Sequence, residues 1–179
     1  MGAKRADEQK RLVHIYTGES KGKTTAAIGL AVRAVGAGWK ALFCQFYKPD
    51  GSSELEPLQR LGVTIKRFNW RGNFFKKYTL DELKQQAAEL EDFIGEVQKE
   101  WKHYDLVVMD EVVYAITGKI ISEQAFIEFL KRRPDTAELV LTGRDFPKSI
   151  LEQADYVTNM QQLKHPFTKD FLPRKGIEY

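Results

Sequence analysis

The sequence contains a single cysteine, Cys44, and only three histidines among its 179 residues. One cysteine excludes an internal disulfide framework and a zinc site built from several thiolates. None of the histidines, at positions 14, 103 and 165, stands near a Ser, Cys or Asp at a recognisable catalytic spacing. We expect His14, His103 and Cys44 to be structural residues. The sequence therefore offers little acid–base or thiol chemistry.

Long apolar runs and blocks of one charge are also absent. No apolar run reaches the length that crosses a bilayer, and residues 1–11 are charged and lack the apolar core of a secretory signal. The net charge is +3, with Lys and Arg distributed along the chain apart from local clusters at 71–77 and 131–133. We therefore expect a cytoplasmic protein whose partners are neither membranes nor nucleic acids.

The order of secondary structure follows from alternating sequence patterns. Short β-rich runs alternate with helical segments within one expected domain, 1–179, which predicts an α/β fold with a mostly parallel sheet flanked by helices. The predicted strands are Leu12–Tyr16, Ala41–Phe46, Val63–Phe68, Leu106–Met109, Leu139–Leu141 and Tyr156–Asn159. The predicted helices are Thr24–Ala37, Glu54–Leu61, Leu80–Lys102, Glu123–Lys131 and Pro147–Gln153.

The third predicted helix carries clear local signals. Thr79 and Glu82 have the spacing of a capping box at its start. Its buried face is predicted from apolar residues at helical spacing, which are Leu83, Ala87, Leu90, Ile94 and Val97.

The most informative segment is T-G-E-S-K-G-K-T-T at 17–25, between an apolar run and a helical pattern. This is the arrangement of a phosphate-binding loop, in which backbone N–H groups and a helix N-terminus surround an anion. The spacing is shorter than in the common pattern, because three residues instead of four separate the two glycines. The predicted nucleotide-binding residues are Gly18, Glu19, Ser20, Lys21, Gly22, Lys23, Thr24 and Thr25.

Two further strands end in residues that suit phosphate and magnesium. Asp110 and Glu111 follow an apolar strand, as do the acidic residues that hold Mg²⁺ in nucleotide-binding proteins, and either carboxylate could be the nearer one. We predict that Mg²⁺ is held by Asp110, Glu111 and a hydroxyl of the loop, that of Thr24 or alternatively that of Thr25. Arg144 follows another strand and could clamp a phosphate, although a surface arginine at a sheet edge is the alternative.

Two aromatic and basic segments, 69–78 and 164–179, do not fit a bare α/β scaffold. The first follows a predicted strand directly. Loops at the carboxyl ends of strands are where open α/β sheets bind ligands. We therefore expect both segments to contribute to a ligand site or to a subunit contact.

With these motifs the chain resembles the corrinoid adenosyltransferases of the phosphate-loop type. The resemblance rests on T-G-x-x-K-G-K-T-T-A-A, R-A-x-G-x-G and Q-F-x-K in the first 48 residues. It continues with V-V-x-D-E at 107–111, L-T-G-R at 141–144, A-D at 154–155, K-H-P-F at 164–167 and R-K-G-I-E-Y at the end. The shortened loop and the terminal motif are the specific parts.

The resemblance implies a phosphate-loop NTPase architecture of the RecA-like kind. It also implies transfer of the 5′-deoxyadenosyl group of ATP to the cobalt of a reduced corrinoid, with triphosphate as the leaving group. ATP and Mg²⁺ are the implied ligands, and Lys23, Thr24 and Glu111 the implied catalytic residues. A homodimer and an electron donor such as a reduced flavoprotein are implied as well. Residues 1–10 would be flexible and residues 164–179 an active-site or dimer tail.

In this family, aromatic residues displace the lower ligand of cobalt(II), which makes reduction to cobalt(I) easier. Phe68 and Trp70 match the family's Phe-x-Trp spelling, whereas Phe74 and Phe75 lie closer to the expected distance along the chain. All four are therefore candidates for the corrinoid side of the site. Glu19 departs from the Asn or small residue that the family usually carries inside the loop.

Two other functions remain as alternatives. A phosphate-loop ATPase or kinase would cleave the terminal phosphate, with Glu111 orienting water or an acceptor. A non-catalytic module would bind a corrinoid or a nucleotide without turnover. The acceptor itself could be complete cobalamin or an incomplete corrinoid.

Overall fold

The computed structural model describes residues 10–48, 52–68, 79–164 and 173–179. The strands are β1 (Val13–Thr17), β2 (Ala41–Gln45), β3 (Thr64–Arg67), β4 (Leu106–Asp110), β5 (Glu138–Thr142) and β6 (Tyr156–Asn159). The helices are α1 (Lys23–Gly36), α2 (Leu55–Arg60), α3 (Leu80–Glu100), α4 (Val113–Thr117), α5 (Glu123–Lys131) and α6 (Lys148–Leu151). A 3₁₀ turn, Trp101–His103, extends α3.

The six strands form one sheet in the order β3-β2-β4-β5-β1-β6, and all of its neighbouring pairs are parallel. The predicted α/β fold is therefore confirmed, and every predicted strand is present within a residue or two of its expected bounds. Because parallel strands share a direction, the residues that follow β1, β2, β4 and β5 meet at one edge of the sheet.

Helices cover both faces of the sheet, and each face has its own apolar core. On one face, α1 presents Ala27, Ala31 and Ala34 to strand residues such as Phe43 and Val108. These small side chains allow the helix backbone to approach the sheet closely. On the other face a larger cluster includes Leu90, Ile94, Val97, Phe126, Phe129, Ile15, Leu42 and Met109. The central strands β2 and β4 are nearly continuous apolar runs because both of their faces are buried.

Helix α3 confirms the capping box and corrects part of the predicted buried face. The Thr79 hydroxyl accepts from the Glu82 N–H, and the Glu82 carboxylate accepts from the Thr79 N–H. Leu90, Ile94 and Val97 are buried, but the prediction for Leu83 was wrong, since it is 38% exposed. At a rise of about 1.5 Å per residue, the 21-residue helix is longer than the strands, and Leu83 lies in its largely exposed first turns.

Helix α4 was not predicted from the sequence. It has five residues, V-Y-A-I-T, and no side chain caps it. Such a short apolar run has neither a helical period nor a boundary signal that would separate it from a loop. In the part of the chain that the structure describes, no helix combines the length and the apolar character that crossing a membrane requires.

The expected structural roles of His14 and Cys44 agree with their surroundings. The His14 ring lies 2.5 Å from a carboxylate oxygen of Glu138 and stacks on Tyr156, on strands β1, β5 and β6. Cys44 is fully buried in β2, and burial raises the pKa of its thiol well above the usual value. A thiol held in the neutral form is a poor nucleophile.

Several expectations fall on segments outside the described residues. One is the flexibility expected of residues 1–9. The others are the ligand or subunit contacts expected of residues 69–78 and 165–172. They stay predictions from the sequence.

Candidate active site

The loop between β1 and α1 folds back against the residue that follows β6. The Ser20 N–H donates to the carbonyl of Met160 at 3.0 Å, and the Met160 N–H donates to the carbonyl of Thr17 at 2.8 Å. Gly18 and Gly22 have φ angles of 102° and 116°, in the left-handed region that favours glycine. A Cβ at Gly18 would collide with the Asn159 side chain and lie 2.6 Å from the Met160 carbonyl. The tight loop therefore depends on glycine at position 18.

We expect Gly18→Ala to weaken nucleotide binding and to lower the free energy of unfolding by about 2 kcal/mol, because it adds a steric clash to an unfavourable φ. The measurements are ATP titration calorimetry and urea unfolding. Gly38→Ala is the matched control, since Gly38 also has a positive φ of 85° but no atom within 4 Å of the added Cβ. Equal losses in the two variants would show that the packing against Met160 has no role in the loop.

Lys23, the first residue of α1, is only 5% exposed. Its ammonium donates to the carbonyls of Gly18 and Ser20 at 2.6 and 2.7 Å, so the lysine holds the loop in shape as well as supplying charge. Burial lowers the pKa of Lys23, while the nearby Glu111 carboxylate counteracts this shift. The result is a buried cation at the start of a helix, the kind of position where proteins bind anions.

A buried carboxylate joins α1 to two strands. Asp110, the last residue of β4, is 0% exposed. One of its oxygens accepts from the hydroxyls of Thr24 and Thr142, both at 2.8 Å. The Thr142 hydroxyl also accepts from the Glu111 N–H at 2.9 Å, which fixes the backbone directly after β4. Thr142 was not predicted as a site residue, although it belongs to the L-T-G-R motif.

Lys48 completes this polar cluster. Its ammonium lies 2.8 Å from the second oxygen of Asp110 and 3.3 Å from a Glu54 oxygen, and it donates to the Thr24 hydroxyl at 3.1 Å. Glu54 in turn accepts from the Gln45 side chain at 3.2 Å. Burial alone would lower the pKa of Lys48, but the contact with Asp110 and the charge of Glu54 raise it above the usual value.

Glu111 follows β4 with a φ of 61°, a left-handed conformation that is uncommon for a residue other than glycine. Burial, and then the charge of Asp110, raise the pKa of its carboxyl group. One carboxylate oxygen, Oε2, is buried without a hydrogen-bond partner among the described residues. A buried oxygen of this kind is suited to a cation or a donor from a ligand, because leaving it unpaired is costly.

Lys23, Lys48, Glu54 and Glu111 face a cavity of about 610 Å³ that is large enough for a nucleotide. The cavity is lined by residues 20–25, Lys48, Glu54, Glu111, Tyr114 and Arg144, together with residues from 173–179. Arg144 is half-exposed and pairs with Glu19 of the loop at 3.4 Å. Four cations, Lys21, Lys23, Lys48 and Arg144, therefore surround one cavity.

Residues from 173–179 form part of the cavity wall. The Glu178 carboxylate pairs with Lys21 of the loop at 3.3 Å and also accepts from the Arg174 backbone and side chain. The Tyr179 carbonyl accepts from the Ser53 hydroxyl at 3.0 Å. This segment therefore bridges the loop after β1 and the residues that precede α2.

Comparison with known proteins agrees with this geometry. The family model described as "ATP:corrinoid adenosyltransferase BtuR/CobO/CobP" matches residues 9–179. The chain belongs to this family. The resemblance predicted from the sequence motifs is thereby confirmed.

Relatives within the corrinoid adenosyltransferase family match nearly end to end. The corrinoid adenosyltransferase of Escherichia coli K12 is 31% identical, with 97% of this chain and 88% of the relative covered. The corrinoid adenosyltransferase CobA of Salmonella typhimurium LT2 gives the same three values. A corrinoid adenosyltransferase from a Sinorhizobium species is 30% identical, covering 96% of this chain and 82% of the relative.

The structure brings most of the predicted adenosyltransferase site together. Residues 20–25, Glu111 and Arg144 line the cavity, and Asp110 lies beneath it, bonded to Thr24. Phe68 is instead 7% exposed and packs against Tyr47 and Phe93 in the core. The other three corrinoid candidates, Trp70, Phe74 and Phe75, lie outside the described residues. Thr142 and Glu54 were not among the predicted site residues, and Lys48 was recognised only as part of the Q-F-x-K motif, without the cluster that it joins.

Proposed function

We propose that this chain transfers the 5′-deoxyadenosyl group of ATP to the cobalt of a reduced corrinoid. The bond between C5′ and its oxygen breaks, a cobalt–carbon bond forms with the electron pair of cobalt(I), and triphosphate leaves with the electron pair of the broken bond. The observation that carries the proposal is the match of residues 9–179 to the adenosyltransferase family.

The roles we propose for the site follow from its charges. Lys23 and the loop's N–H groups would bind the triphosphate, whose negative charge grows as the bond to C5′ breaks. Lys21 and Arg144 lie at the cavity and would add further positive charge. The site's main work in this scheme is to align C5′ with the cobalt and to stabilise the leaving group.

The residues present are suited to Mg²⁺. Thr24, Asp110 and Glu111 offer hard oxygen ligands, and the Oε2 atom of Glu111 lacks a hydrogen-bond partner within the described segments. Those segments contain no cluster of three His, Cys, Asp or Glu residues able to hold a metal ion. Proteins usually bind Mg²⁺ through one or two carboxylates together with substrate phosphates. When bound, Mg²⁺ would neutralise charge on the triphosphate.

The titratable side chains in the described lining of the cavity are carboxylates, lysines, tyrosines and an arginine. Its lining, as far as the described residues define it, includes neither His nor Cys. Adenosyl transfer requires no general base from this lining, because cobalt(I) is itself the nucleophile and no proton is removed from it. We also propose that residues 173–179 act as an active-site wall, since they bridge Lys21 and Ser53 across the cavity.

An anaerobic incubation of the purified protein with ATP, Mg²⁺ and chemically reduced cobalamin tests the proposal. We expect the spectrum of a light-sensitive alkylcobalamin and stoichiometric triphosphate. ADP and inorganic phosphate with an unchanged corrin would contradict it and indicate an ATPase. A bound corrinoid without any reaction would also contradict it and indicate a binding module.

We expect the double substitution Phe74→Ala and Phe75→Ala to slow the reaction from cobalt(II) more than the reaction from pre-reduced cobalt(I). The reason is that aromatic groups near the corrin would favour loss of the lower ligand, a step that pre-reduction makes unnecessary. Initial rates with the two starting materials measure the effect. Tyr156→Ala, which removes an exposed aromatic side chain on β6, serves as the control. Equal slowing in both assays would contradict this role.

The homodimer and the reduced flavoprotein donor stay predictions that follow from the family resemblance. The cytoplasmic location stays a prediction from the composition of the sequence. Equilibrium sedimentation would measure the homodimer. Reduction by a flavoprotein can be tested by replacing the chemical reductant in the anaerobic assay.

A further inference from the structure

The ammonium group of Lys48 lies among oxygens of the residues that we propose as magnesium ligands. It is 2.8 Å from Asp110 Oδ2 and 3.1 Å from Thr24 Oγ1. On its other side it is 3.3 Å from Glu54 Oε1. The Lys48 side chain is 21% exposed, whereas that of Asp110 is fully buried. One flexible cation therefore contacts both halves of the Thr24–Asp110 pair.

Asp110 needs a positive partner at all times, because a buried carboxylate without one is strongly destabilised. Its hydrogen bonds to Thr24 and Thr142 come from neutral hydroxyls, so Lys48 supplies the positive charge. A divalent metal on the same oxygens would supply more charge than the ammonium does. Two cations on one pair of oxygens would repel each other strongly in a buried site, so ammonium and metal exclude each other.

The structure also offers Lys48 a second position. Its backbone carbonyl accepts from the Arg67 guanidinium at 3.1 Å, which anchors the main chain. The four-carbon stem can still rotate. The Gln45 side chain donates to the same Glu54 oxygen that the ammonium contacts. This hydrogen bond holds the Glu54 carboxylate beside Lys48, so Glu54 can retain the ammonium when the contact with Asp110 is released.

We propose that Lys48 takes the place of the metal ion in the nucleotide-free enzyme. It neutralises Asp110 and holds Thr24 in position, and it moves toward Glu54 and the cavity when the metal ion arrives with the nucleotide. Lys48 is thus a positioning residue that keeps free metal out until phosphate oxygens complete the site. The proposed function supplies one premise of this inference, namely that Thr24 and Asp110 are metal ligands.

The test is a titration of the nucleotide-free protein with Mn²⁺ alone, followed by electron paramagnetic resonance of the unbound ion. We expect weak binding by the native chain and a Kd lower by about tenfold or more in Lys48→Met, because the competing charge is gone. Lys66→Met is the matched control, since the Lys66 side chain is also 21% exposed and contacts two carboxylates, but on α3. We expect the control to bind Mn²⁺ like the native chain.

Lys48→Gln provides a second variant if Lys48→Met does not fold, because glutamine can still donate to Asp110 without a charge. It too should bind Mn²⁺ more tightly, and Mn²⁺ should raise its Tm more than that of the native chain. If the Kd for Mn²⁺ in the folded variants lies within about twofold of the native value, the proposal is overturned, because the charge competition predicts a larger change. The titration contains neither ATP nor corrinoid, so its failure is distinguishable from failure of the adenosyl-transfer assay.

Discussion

Lys23→Ala is expected to reduce adenosyl transfer by about 100- to 1,000-fold, the usual loss when one preorganised group that stabilises transition-state charge is removed. Lys23 combines two contributions that alanine cannot replace. Its ammonium is buried at the start of α1, where it faces the cavity, and it also donates to the carbonyls of Gly18 and Ser20. The variant therefore loses positive charge and loop support together.

The measurement is the initial rate from pre-reduced cobalamin at saturating Mg²⁺, with ATP affinity determined separately by calorimetry. Lys40→Ala is the control, because Lys40 is exposed and lies before β2, at the opposite edge of the sheet. A Lys23→Ala enzyme with native turnover would refute the assignment of this loop to the triphosphate. A loss confined to ATP affinity would mean that Lys23 binds substrate and transition state equally.

Asp110→Asn is expected to lower the free energy of unfolding by about 3 kcal/mol, the cost of breaking a buried ion pair from one side. The neutral side chain leaves the Lys48 ammonium without its closest carboxylate, 2.8 Å away. Whichever way the amide turns, its NH₂ group meets either that ammonium or the hydroxyls of Thr24 and Thr142, which now donate to Asp110.

Urea unfolding without nucleotide measures this loss, and Asp92→Asn on the exposed surface of α3 is the control. Adding Lys48→Met to Asp110→Asn removes the ammonium that the first substitution leaves without a partner. We therefore expect the double variant to lose less unfolding free energy than the two single variants lose in total, by about 1 kcal/mol or more. An Asp110→Asn protein as stable as the control would contradict the role of this ion pair. Turnover should also fall by at least about 100-fold, since the proposed metal site would lose a charged ligand.

Much of the architecture was readable from local patterns. The central strands β2 and β4 are buried along their whole length, so the short β-rich runs at 41–46 and 106–109 were recognisable in isolation. The loop at 17–25 and the acidic end of β4 were equally visible, because their chemistry requires particular residue types in consecutive positions. The capping box at Thr79 and Glu82 is another signal contained within four residues.

The errors arose where an element depends on what packs against it. Leu83 has the correct helical spacing for the core, yet it lies in the largely exposed first turns of α3. Helix α4 is short and uncapped, and Val113 lies against Gly143, where a Cβ would collide with it. Gly143, at a φ of 152°, therefore allows the end of β5 to approach α4 closely. This contact depends on two residues that are far apart in the chain, so no local sequence pattern predicts it.

The order of strands and helices, the phosphate-loop type of site and the family could all be inferred from the amino-acid sequence. These features depend on residues that are neighbours along the chain, so the spacing that defines them can be read directly from the sequence. The fold was needed to show that Lys48, Asp110, Thr24 and Thr142 form one cluster, and that residues 173–179 close the cavity beside Lys21. Those contacts join segments up to 157 residues apart, and they exist because parallel strands bring their carboxyl ends to a single edge of the sheet.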